Sequence, residues 1–92
     1  MKIERTSQFK RDYKRESKGQ HHTTLAVAFG EVLNVLITDQ PLDQKYHDHP
    51  LSGNWSDHRD CHVKPNLILI YRKPENDVLQ LVRLGSHSEL GL

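Results

Sequence analysis

Five consecutive large apolar residues, Leu67-Ile68-Leu69-Ile70-Tyr71, constrain this chain more than any other feature of its sequence. Side chains alternate across a strand, so a run without a polar member leaves no face for water. Bounded by Lys64-Pro65-Asn66 and Pro74-Glu75-Asn76-Asp77, the run reads as a central strand, Leu67 to Arg72, covered on both sides. It is far too short to cross a bilayer. The second boundary predicts a hairpin turn over Pro74–Asp77, followed by a strand over Val78–Leu84. Ser56 to Val63 predicts a further strand before it.

The N-terminal half has a helical period. Lys2 to Arg5 predicts a short edge strand. Thr6 or Ser7 can cap a helix running to about Lys18, with Phe9 and Tyr13 on one face and Gly19 as its stop. Leu25, Phe29, Val32, Leu33 and Leu36 place one apolar stripe on a second helix, from about His22 to Thr38, which Gly30 weakens locally. Residues 39–56, broken by Pro41, Pro50 and Gly53, predict a long ordered loop. Gly85 to Leu92 predicts a short tail. The expected architecture is a single α+β domain over residues 1–92, with two N-terminal helices packed on a small antiparallel sheet. The single cysteine, Cys61, has no internal partner, and Met1-Lys2-Ile3-Glu4-Arg5 has no apolar run behind it. The expected compartment is the cytoplasm, with no membrane contact.

The net charge of +1 hides an asymmetry. Residues 1–18 carry seven Lys or Arg against three acids, whereas the remainder carries six against nine. Lys10, Lys14 and Lys18 form one helical row, with Arg11 and Arg15 beside it. Such a lobe is either a solvated helix surface or the footprint of an anionic partner.

Histidine is over-represented: seven in 92 residues, four of them between His47 and His62. Strand alternation puts His58, Asp60 and His62 on one face and Arg59, Cys61 and Val63 on the other, toward the core. Three readings compete for the first set. Metal binding would use His47-x-His49 and His58-x3-His62, but the second pair converges only on a helix, and Cys61 faces away. Ordinary hydrogen-bonding histidines are the second reading. The third is acid–base cleavage of RNA, in which a base takes the 2′-hydroxyl proton, a cation stabilises the phosphorane and an acid protonates the leaving 5′-oxygen. Asp60 and His62 stand out by their shared face, and His49 by its loop.

Several segments together carry a family resemblance: Tyr46-His47-Asp48-His49-Pro50-Leu51-Ser52-Gly53-Asn54-Trp55, Arg59-Asp60-Cys61-His62-Val63-Lys64-Pro65, Leu69-Ile70-Tyr71, and Arg83-Leu84-Gly85-Ser86-His87-Ser88-Glu89-Leu90. The chain resembles the RelE/ParE toxin superfamily, most closely its YafQ-like branch of messenger RNA interferases. The resemblance implies ribosome-dependent cleavage of messenger RNA in the decoding site, without metal or other cofactor. It also implies a cognate antitoxin that wraps the toxin and, with it, represses their operon by binding operator DNA. By the same resemblance His49 and His62 are catalytic, His87 is the general acid, and Asp60 is an acidic group at that site. Arg83 is then a transition-state cation, and Lys10, Arg11, Lys14, Arg15 and Lys18 bind ribosomal RNA. His87 is singled out by the resemblance alone.

Two departures bear on activity. Asn66 stands where the family usually has Asp after the proline, and an amide cannot accept a proton as a carboxylate does. The chain ends Leu90-Gly91-Leu92 where relatives commonly end in Leu-Phe, which removes an aromatic that could stack on a base. An alternative is therefore a weak or inactive member of the fold that acts by binding an antitoxin, the ribosome or gyrase.

Overall fold

In the computed structural model, which describes residues 1–92, the Leu67–Tyr71 run lies in the middle of a five-stranded sheet, and all five side chains are buried. The elements in chain order are β1 (Lys2–Arg5), α1 (Ser7–Glu16), α2 (Leu25–Ile37), β2 (His49–Pro50), β3 (Arg59–Lys64), β4 (Leu67–Glu75), β5 (Val78–Gly85) and α3 (His87–Leu90). Single 3-10 turns occupy Gln44–Tyr46 and Gly53–Trp55. The strand order is β1-β5-β4-β3-β2. The α+β class is as expected, but the sheet is mixed, because β1 runs parallel to β5 while the other neighbours are antiparallel.

The two faces of β4 feed two cores. Leu67, Leu69 and Tyr71 meet Phe9, Leu25, Phe29, Val32 and Leu36 beneath α1 and α2. Ile68 and Ile70 point the other way and pack with Val82 and Leu90, flanked by Leu51 and Trp55. Burial on both sides is why the run has no polar member.

Element ends differ from expectation for identifiable reasons. Thr6 Oγ1 accepts from Phe9 N at 3.0 Å and caps α1, which stops at Glu16 because residues 17–24 form successive turns. α2 accordingly begins at Leu25. β4 runs on to Glu75, which pairs with Val78, so the hairpin turn is Asn76-Asp77 alone. Pro74 sits where the ladder register shifts, and no amide donor is needed there. The expected tail is helical: Ser86 Oγ accepts from Glu89 N, Glu89 Oε1 accepts from Ser86 N at 2.8 Å, and Gly91 closes α3 with φ of 72°.

β1 covers the edge of β5 only as far as Leu81. Beyond it, α1 does the work of a strand. Thr6 Oγ1 donates to Val82 O at 2.7 Å, Asp12 Oδ2 accepts from Leu84 N at 3.0 Å, and Arg15 Nη2 donates to Leu84 O at 2.9 Å. A Cβ at Gly85 would come within 3.0 Å of Arg15 Nη2 and 3.1 Å of Glu89 Oε1, so glycine lets the Arg15–Glu89 ion pair pass. No helix is long and apolar enough to cross a membrane.

Candidate active site

The site is assembled on the sheet face opposite α1 and α2. Register places His49 opposite Asp60, Asp60 opposite Ile70 and Ile70 opposite Arg83, one row across four strands. In the next row His62 lies opposite Ile68, which lies opposite Gly85. Two residues beyond Gly85, α3 brings His87 back over the sheet. The His62 and His87 ring centres are 5.2 Å apart at 66°.

The loop before β2 is pinned from the opposite side. Asp48 Oδ1 accepts from Tyr71 Oη at 2.5 Å, and Arg59 grips the same carboxylate through Nε and Nη2 at 3.4 and 3.2 Å. With Asp48 held among helix-side residues, His47 and His49 project toward the other face. His47 adopts φ of 50°, and its ring centre is 5.1 Å from that of His62. Three imidazoles, from the loop, β3 and α3, therefore form a continuous row.

His49 and Asp60 form a second unit beside it. His49 Nδ1 lies 3.2 Å from Asp60 Oδ1 but donates its proton to His47 O at 2.6 Å. Any second hydrogen on this ring is therefore carried by Nε2. Asp60 is 3% exposed, and its Oδ1 receives no hydrogen bond. Burial raises the Asp60 pKa, opposed by the charges of His49, His62 and His87. Burial lowers that of His62; the neighbouring His87, His47 and His49 reinforce this and Asp60 opposes it. His62 is therefore uncharged at neutral pH and has a ring nitrogen free to accept a proton.

His49, Asp60, His62 and His87, inferred from separate segments, are brought together. His58 is not among them. β3 begins at Arg59, and the His58 ring packs against Trp55 while its Nδ1 donates to Ser56 O at 3.1 Å. Sequence reasoning missed His47 as a member of the cluster and Asp48 as its anchor. The alternation His47-Asp48-His49 was the available signal. No group of three or more His, Cys, Asp or Glu side chains is arranged to hold a metal ion. Cys61 is fully buried in the helix-side core, where burial pushes its thiol pKa up.

Among the inferred cations, Lys10, Arg11, Lys14 and Lys18 are exposed on or just beyond α1. Arg15 is held by Asp12 at 3.0 Å, Glu16 at 3.0 Å and Glu89 at 3.3 Å, besides its bond to Leu84 O, so it serves the fold. Arg83 is oriented by buried Asp12, through Nε at 2.7 Å and Nη2 at 3.3 Å. Burial alone would raise the Asp12 pKa, but Arg83, the Leu84 amide and Arg15 together hold it below its ordinary value. Asn66 occupies the exposed turn between β3 and β4.

A family model described as the bacterial toxin YafQ of a type II toxin–antitoxin system matches residues 1–91. The chain belongs to the YafQ toxin family. A relative from Escherichia coli strain K12, the mRNA interferase toxin YafQ, is 36% identical over 89 residues, spanning 96% of this chain and 92% of its own. YafQ in the E. coli DinJ–YafQ complex superposes with a TM-score of 0.83 at 36% identity, over 96% of this chain and 94% of that one. A metal-bound toxin from Helicobacter pylori superposes with a TM-score of 0.79 at 42% identity, over 98% of each chain. In the present chain the His62 and His87 rings meet edge to face and the His47 ring is tilted at 50° against His62, so the three imidazoles lie in a row.

Proposed function

We propose that this toxin is a ribosome-dependent endoribonuclease that cuts messenger RNA by histidine acid–base chemistry. The observation that carries the reading is the packing of His62 against His87, with the His49–Asp60 pair alongside, on one open face. His62, kept neutral by burial, takes the proton of the 2′-hydroxyl. The oxygen attacks the adjacent phosphorus, and His87 protonates the departing 5′-oxygen. His49 backed by Asp60, and Arg83 oriented by Asp12, supply positive charge to the phosphorane. The products are a 2′,3′-cyclic phosphate and a 5′-hydroxyl.

The exposed Lys10, Arg11, Lys14 and Lys18 grip ribosomal RNA, which brings the decoding-site message to the histidines. The relative solved with DinJ supports an antitoxin partner for this chain too, and operator DNA is then bound only by that complex. Ribosomes make the cytoplasm its place of action. The test is primer extension on message held in programmed ribosomes. New ends in the decoding site are expected, reduced at least about tenfold by His87→Ala. No new ends at high toxin concentration would sink the proposal.

A second reading, a binder with little catalysis, draws on Asn66 in place of a carboxylate. Asn66→Asp separates the two. Cleavage that appears only in the variant favours the binder for the parent chain.

A further inference from the structure

An open groove of about 510 Å3 adjoins the histidine row where β3 is not paired with β2. His47 and His62 line it, and so belong to the row and the groove at once. Its other polar lining residues are Glu31 of α2, Lys45, Tyr46 and Lys64, with Val63 and Pro65 as the apolar ones. A volume of this size suits one nucleotide.

The polar groups are sorted by chemistry. Lys45 holds its ammonium 5.1 Å from the Tyr46 ring centre. The Lys64 ammonium donates to Thr24 Oγ1. Both lysines line the groove, where a phosphate would stand. A base stacking on Tyr46 takes the ring face from Lys45 and frees that ammonium for the phosphate beside it. Glu31 is the exception. A carboxylate repels phosphate, so in a nucleotide site it faces a base edge. It can only accept hydrogen bonds.

Among the four RNA bases, only guanine presents two adjacent donors, N1–H and N2–H, on its Watson–Crick edge. Adenine, cytosine and uracil each set a lone pair against a carboxylate at that position. We infer that the groove between Tyr46 and Lys64 is a guanine-preferring nucleotide subsite beside the cleaved phosphate, with Glu31 as the residue that selects the base. The inference rests on the reading of the chain as an RNA-cleaving enzyme and adds its sequence preference.

The experiment is an amide-resolved NMR titration of the intact toxin with each of the four nucleoside 3′-monophosphates, repeated on Glu31→Gln. Guanosine 3′-monophosphate should shift the amides around Tyr46, His47 and Lys64 and bind about tenfold more tightly than the other three, as two hydrogen bonds to a charged acceptor warrant. Glu31→Gln, an exposed change on α2, should bring the four to within about threefold of one another. Equal binding of all four by the parent chain, or shifts confined to Lys10–Lys18, would overturn the subsite. So would a guanine preference unchanged in Glu31→Gln. These outcomes are read without catalysis, whereas absence of cleavage on ribosomes tells against the enzyme reading.

Discussion

Asp60 Oδ1 lies 3.2 Å from His49 Nδ1 yet receives no hydrogen bond, because the single proton on that nitrogen goes to the His47 carbonyl at 2.6 Å. A carboxylate with 4% of its side chain exposed and one unpartnered oxygen is an expensive group to keep in a fold of 92 residues. A positive charge on His49 would offset that cost by charge alone, since a second ring hydrogen goes to Nε2 while the ring stays 3.2 Å from the carboxylate.

The cost is measurable in stability. The folded-state pKa of Asp60 is raised above 3.8. The native state therefore holds this proton better than the unfolded chain does. The stability it gives is complete below pH 3.8 and is lost as the pH rises through the folded value. At neutral pH the ionised group destabilises the fold. Asp60→Asn should raise Tm by about 4–8 °C, on the order of 1 kcal/mol for a domain this small. The same change should slow cleavage. Thermal unfolding followed by circular dichroism, beside single-turnover cleavage, checks both, and a lowered Tm would remove the account of Asp60.

His62 sets a limb of the pH profile. Its pKa is lowered from 6.5, so the base loses its proton below that value and the acid limb of the single-turnover rate should have its midpoint under pH 6.5. Asp60 acts to raise the His62 pKa. In Asp60→Asn the limb should therefore move further toward acid. A purely structural role for Asp60 would leave it in place, and a midpoint above 6.5 would exclude His62 as the base. Folding carries the same sign: the unfolded chain takes up this proton more readily than the folded one, so the His62 contribution falls as the pH drops through 6.5.

Asp48 positions two histidines without facing RNA. Its carboxylate side chain is 22% exposed and shared by Arg59 and Tyr71. Asp48→Asn should cost about 1–2 kcal/mol, less than a fully buried pair because Arg59 is 43% exposed. Cleavage should fall about tenfold or more, as a small misplacement of His47 and His49 suffices. Urea unfolding and single-turnover kinetics measure the two effects. Full activity in a destabilised variant would show that the loop keeps its place without this anchor.

Much of this was legible in the sequence. The unbroken apolar run fixed the central strand, and the Leu25–Leu36 stripe fixed α2. Alternation put Asp60 and His62 on one face. Other features are set by distant partners. The parallel pairing of β1 depends on the open edge that β5 offers over Val78–Leu81, which residues 2–5 do not encode. The withdrawal of Arg15 depends on Glu89, seventy-odd residues away, approaching across a glycine. His87 reaches His62 only because Ser86 and Glu89 cap a four-residue helix, and that Ser-x-x-Glu pattern with a following glycine was visible as a helix signal. The alternation His47-Asp48-His49 hinted at His47, but its direction is set by the bond of Asp48 to Tyr71, twenty-three residues on.

In the proposed reaction, imidazoles on this face drive attack by the 2′-hydroxyl of the message. The most direct measurement is cleavage on programmed ribosomes of a message carrying one 2′-deoxy substitution at the cut nucleotide, with analysis of the product ends. Attack by the 2′-hydroxyl leaves a 2′,3′-cyclic phosphate and a 5′-hydroxyl from the all-ribose message, and no cut at the substituted position. Cleavage of the deoxy-substituted message at an undiminished rate, leaving a 3′-hydroxyl and a 5′-phosphate, would contradict it.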